Sequence, residues 1–79
     1  MSLIAQIKEE RLTGLGEIPQ GFLYAKIKNI GNIAAEVNNV PLEPGESKVY
    51  PFVGRAYQAI DCGSVVNNND SVLEIMTIT

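Results

Sequence analysis

Apolar and polar residues alternate in short runs along this chain, and Gly, Pro or Asn closes each run within a few positions. A period of two places successive side chains on opposite faces of a strand. Short strands with such punctuation predict an all-β domain. Residues 22–29 read as a strand, with Leu23, Ala25 and Ile27 towards a core and Phe22, Tyr24, Lys26 and Lys28 towards the other side. Gly31-Asn32 then turns the chain. Ile33, Ala35 and Val37 alternate against Ala34, Glu36 and Asn38, which predicts a second strand antiparallel to the first. Asn38-Asn39 suits a two-residue hairpin turn, because Asn tolerates positive φ. Residues 40–42 form the short return strand, and Pro41, lacking an N–H, assigns it to an edge. Glu43-Pro44-Gly45-Glu46 has the chemistry of a type II turn, with Pro presetting φ and Gly taking the positive-φ site.

The flanks carry weaker patterns. In residues 3–12, Leu3, Ala5 and Ile7 alternate as a strand or extended arm would, while Ile4, Ile7 and Leu12 also fit a short amphipathic helix closed by Gly14. The β-rich remainder favours the strand or arm. Gly14, Gly16, Pro19 and Gly21 mark residues 13–21 as a loop. Residues 47–53 predict a strand broken or bent at Pro51, and residues 56–62 one with Ala56, Gln58, Ile60 and Cys62 on one face. Residues 63–70 read as a polar turn rich in Asn. Residues 72–78 predict the last strand, with Val72, Met76 and Ile78 opposed to Leu73 and Ile75. A strand apolar on both faces belongs in the middle of a sheet or under a partner. The sum is one β domain over residues 1–79, a small antiparallel β-sandwich or flattened barrel of about six short strands.

Composition narrows the class. A domain of 79 residues buries a small core and usually needs a disulfide, a metal or self-association to be stable. There is one Cys and no His, so neither an intrachain disulfide nor a structural zinc site is expected. Self-association or docking on a larger partner remains. The net charge of −3 argues against nucleic acid, which wants a concentrated basic surface. No apolar run approaches the ~20 residues of a membrane-spanning helix. The N-terminus lacks a basic region followed by an apolar stretch, so no secretory leader is expected.

Reaction chemistry is equally thin. Without His, a Ser or Cys nucleophile lacks its usual activating base. Asp61 and Cys62 are strand neighbours and point to opposite faces, so Cys62 reads as a small apolar core residue. Glu9-Glu10 reads as a solvated pair, and Glu43 and Glu46 flank a turn. Residues 67–71 are oxygen-rich but lack the spacing of a calcium loop. Gly14-Leu15-Gly16 lacks the Lys and Ser/Thr of a phosphate loop. Phe22, Tyr24, Tyr50, Phe52 and Tyr57 form an aromatic set without Trp, the ring that sugar-binding modules favour. No enzyme, cofactor, metal or small-molecule ligand is expected.

The run 26–32, Lys-Ile-Lys-Asn-Ile-Gly-Asn, followed by Ala35-Glu36-Val37-Asn38-Asn39-Val40-Pro41-Leu42 and Pro44-Gly45-Glu46-Ser47, resembles small β-sandwich structural proteins of bacteriophage virions. Pro51-Phe52-Val53-Gly54-Arg55-Ala56-Tyr57 and Ala59-Ile60 extend the resemblance to about half the chain. It departs at Asn39, where Gly is the commoner turn residue. The resemblance implies a non-enzymatic virion component, of the head-decoration, minor-capsid, fibre or tail type, assembled in the host cytoplasm. Its partners would be further copies of itself and other virion proteins. The alternative is a bacterial surface or adhesin-like β module that binds glycan or protein through Tyr24, Tyr50 or Tyr57. For the virion reading, the contact residues expected are Leu3, Ile4 and Ile7 in the first segment and Phe22 and Tyr24 on the outer strand face, where exposed aromatics mark interfaces.

Overall fold

A computed structural model describes residues 4–79, and these form ten strands and no helix. In chain order they are β1 (Ile7–Thr13), β2 (Gly16–Ile18), β3 (Tyr24–Asn29), β4 (Ala35–Val37), β5 (Val40–Leu42), β6 (Ser47–Tyr50), β7 (Ile60–Gly63), β8 (Val65–Val66), β9 (Asn69–Asp70) and β10 (Val72–Ile78). Sheet A has the order β1-β10-β3-β6 and sheet B the order β2-β7-β4-β5, with β8-β9 as a separate ribbon. All pairings are antiparallel. The two four-stranded sheets share one core, so the fold is a small antiparallel β-sandwich.

The core follows the period-two rule. Sheet A contributes Ala25 and Ile27 from β3 and Leu73 and Ile75 from β10. Sheet B contributes Ile18, Ala35, Val37, Leu42, Ile60 and Cys62. Phe22 closes one end, stacked on Tyr57 at 5.0 Å and edge-on to Tyr50 at 6.4 Å. The final strand is central, as its two apolar faces require, with β1 on one side and β3 on the other.

The turns obey their chemistry. Asn38 and Asn39 have φ of 52° and 66°, the doubly positive geometry of a type I′ hairpin. Gly45 has φ +86°, and Glu46 N–H donates to the Glu43 carbonyl at 3.0 Å, closing the type II turn. The Glu46 carboxylate accepts from the Glu43 N–H at 2.8 Å, so these two acids brace a turn. β5, which carries Pro41, lies at the edge of sheet B.

Several expectations are corrected. Residues 16–18, assigned to a loop by their glycines, form β2 because β7 supplies a partner. The strand after Gly31-Asn32 does not pair with its predecessor: β4 crosses to the other sheet, between β5 and β7. Asn29 explains the crossover. Its side chain is fully buried, donates to the carbonyls of Ile33 and Leu42 at 2.9 Å each, and accepts from Gly31 N–H at 3.0 Å. One side chain thus folds back the connection and ties β3 to β5. The strand expected over 56–62 starts only at Ile60. Before it, Tyr57 pins the loop by donating its hydroxyl hydrogen to the Pro51 carbonyl at 2.6 Å. The polar turn at 63–70 is a miniature hairpin, with Asn67 and Asn68 at φ 51° and 64°. Residues 7–12 lie on β1, so this part of the first segment adopts the strand rather than the helix.

Candidate functional site

With the core filled, the surfaces left for function are the outward faces of the two sheets. Register fixes what each displays. On sheet A, Ile7, Ile78 and Tyr24 lie side by side across β1, β10 and β3. The next row is Glu9, Met76, Lys26 and Val49, and the next Arg11, Glu74, Lys28 and Ser47. Apolar groups therefore gather at one end and charges alternate at the other. Ile7 is 65% exposed and Val49 46%. Glu9, Lys26, Lys28 and Glu74 surround a shallow depression of ≈ 290 Å³ floored by Ile75 and Met76.

Sheet B displays a different chemistry. Glu17 and Asp61 are cross-strand partners on β2 and β7, and Glu36 on β4 lies opposite Gly63. All three carboxylates are exposed. Beside Gly63 lies a depression of ≈ 330 Å³, bordered by Glu36, Asp61, Asn39 and Leu15. Five of the six basic residues (Lys8, Arg11, Lys26, Lys28 and Lys48) lie on strands of sheet A, and none on sheet B. The outer face of sheet A thus mixes Arg11, Lys26 and Lys28 with Glu9 and Glu74, whereas sheet B displays acids without a base.

Two of the expected contact residues come together. Ile7 and Tyr24 flank Ile78 in one row, and Ile4, 80% exposed, precedes that row along the chain. Leu3 lies outside the described residues. Phe22 is a correction: it is 1% exposed, covered by the loop that carries Tyr57, and belongs to the core. It precedes the first residue of β3, so strand parity does not extend to it. Tyr50 and Tyr57 are half-buried and packed edge-on to each other at 5.6 Å, which takes them out of a flat aromatic platform. Sequence reasoning missed Val49, Met76 and Ile78, whose common face becomes readable only once the register of β10 and β6 is known. It also missed the acidic face, because Glu17, Glu36 and Asp61 are far apart in the chain.

The groups with reactive potential are quiet. Cys62 is buried, and loss of hydration pushes its thiol up to about 11 from the ordinary 9.0, with Asp61 adding and Lys48 opposing. A thiol so protonated is a poor nucleophile at neutral pH. Among the described residues no cluster of three or more His, Cys, Asp or Glu is placed to hold a metal ion. No helix among them is long and apolar enough to cross a membrane. No family model, no curated protein and no solved structure matches the chain.

Proposed function

We propose that this chain is a non-enzymatic structural subunit of a bacteriophage particle, present in many copies and acting through protein–protein contacts. The observation that carries the reading is the uncovered outer face of sheet A, where Ile7, Tyr24 and Ile78 form an apolar row beside alternating charges. Apolar and aromatic groups set among polar ones are the composition of a protein interface. The resemblance of the 26–47 segment to small virion proteins supports the particle assignment, and the thin core supports a subunit completed by neighbours.

The test is quantitative mass spectrometry of particles purified from cells that carry this sequence. The chain should copurify with the shell at a fixed ratio to the most abundant shell protein. Particles of full infectivity that lack it would overturn the assignment.

A further inference from the structure

A face can be buried by another face of the same kind, through a two-fold axis, or by a different face of the next copy. The sandwich carries physical reasons to prefer the second. On the outer face of sheet A, Arg11, Lys26 and Lys28 outnumber Glu9 and Glu74, whereas across the thickness of the molecule sheet B carries Glu17, Glu36 and Asp61 and no base. Two copies related by a two-fold axis through sheet B would bring these carboxylates together. Like charges so juxtaposed oppose association. Stacking the outer face of sheet A on the outer face of sheet B brings Lys26, Lys28 and Arg11 towards Glu17, Glu36 and Asp61 instead.

The edges point the same way. On the long edge strand β1, Lys8 and Glu10 lie on the inward side, opposite Thr77 and Ile75, and form an ion pair of 3.6 Å. Inward charges on an edge oppose edge-to-edge sheet growth. The opposite edge, β6, stops before Pro51, and the edge β5 contains Pro41. Both features deny a further strand its ladder. With these three edges blunted and the fourth, β2, only three residues long, the faces are the larger surfaces open to a neighbour.

Area adds a third argument. At about 4.8 Å between strands and about 3.3 Å per residue, sheet A, with strands of some six residues, presents roughly 400 Å², and sheet B, with strands of some three, roughly 200 Å². Both fall well short of what one partner contributes to a standard stable interface, ~800 Å². A two-fold dimer through one face would stop there, whereas a head-to-tail arrangement gives every copy a contact on each of its two faces.

Resting on the reading of a multicopy structural subunit, we propose that copies of this chain associate head to tail, the outer face of sheet A of one lying on the outer face of sheet B of the next. Such a contact generates a ring where the rotation closes and an open stack where it does not.

The test is sedimentation of four proteins across a concentration series: the native chain, Lys26→Glu with Lys28→Glu, Glu36→Lys with Asp61→Lys, and all four changes together. All four side chains are exposed, and a thermal melt confirms each fold. The native chain should associate, more weakly at 0.5 M salt because exposed charge pairs are screened. Each two-residue variant should raise the dissociation constant about 10-fold or more, since several exposed pairs turn repulsive. The four-residue variant, with both faces reversed, should recover native association. A native oligomer untouched by either two-residue variant, unmoved by salt, or not recovered by the four-residue variant would overturn the head-to-tail contact while leaving the structural-subunit reading standing. A native chain that stays monomeric throughout would overturn the contact, and the particle assay would then judge the structural role on its own.

Discussion

Sheet A is made of strands of seven, seven, six and four residues, whereas those of sheet B have three, four, three and three. The long sheet is held by its own ladders: seven consecutive residue pairs join β1 to β10 and six join β10 to β3. In sheet B only two pairs join β4 to β7. Three-residue strands have few ladder bonds to offset the loss of backbone freedom. Sheet B therefore relies on bonds and close approaches from outside it. Asn29 reaches over from β3 to the Leu42 carbonyl, and Ser64 donates its hydroxyl hydrogen to the Ala34 carbonyl at 2.7 Å. Gly63 lies against the Gly14 turn that joins the sheets. The difference teaches where this fold is brittle: sheet A tolerates change on its surface, while sheet B depends on a few contacts with no substitute.

Gly63→Ala tests that dependence hardest. Gly63 has φ +98°, and a methyl group there would meet the carbonyl oxygen of Gly14, a backbone atom with little freedom to retreat. Backbone strain and overpacking together predict a loss of about 4 kcal/mol. A domain of this length has roughly 4–12 kcal/mol in all. Urea unfolding should place the variant near or below the threshold of folding. A midpoint within 0.5 M of the native chain would mean that the junction of the two sheets yields more readily than the glycine contact implies.

The next largest effect is expected at the tie between the sheets. Asn29→Ala removes two donors and one acceptor from a fully buried site and leaves the carbonyls of Ile33 and Leu42 without their partner. Orphaned buried groups predict a loss of about 3 kcal/mol. Hydrogen exchange should show the damage in β4 and β5 before β1 and β10. Uniform loss of protection across both sheets would contradict the view that sheet B is the dependent one.

The same contrast governs how much the amino-acid sequence reveals. β3 and β10 are readable because alternation persists over six or seven residues. Asn38-Asn39 and Pro44-Gly45 are readable because their backbone angles are set by residue type. β2 is not readable: Gly16 and its neighbouring glycines resemble a loop, and the strand exists because β7 lies alongside. Ala56 to Ala59 alternate well yet form no strand, because only Tyr57 among them bonds to a neighbouring backbone, at Gly21 and Phe22, and no ladder extends from it. The crossover after Asn29 was hidden for a similar reason, since a buried amide and not a turn motif directs it. Of the candidate surface, Ile7 and Tyr24 follow from pattern alone. Their meeting through Ile78 is a consequence of register, and the acidic face of sheet B comes from three strands that sequence spacing does not bring together.

The smallest expected effect is a pH dependence confined to sheet B. Cys62 on β7 is 3% exposed, and loss of hydration first, then the Asp61 charge, push its thiol up to about 11 from 9.0, against the pull of Lys48. The folded chain then keeps a proton that the unfolded chain releases. Stability is unaffected below pH ~9 and falls as pH rises through ~11, because the unfolded state binds fewer protons over that interval. A shift of this size corresponds to a loss on the order of 2 kcal/mol once the window is crossed. Cys62→Ala removes the titration and leaves a pH-independent packing loss of about 1 kcal/mol. Urea midpoints of the native chain and the variant, followed from pH 8 to 11, should therefore converge and then cross, because the native chain's loss exceeds its initial advantage. Parallel curves would show that the Cys62 thiolate is accommodated without cost, and that the interior of sheet B opens to water while its short ladders stay closed.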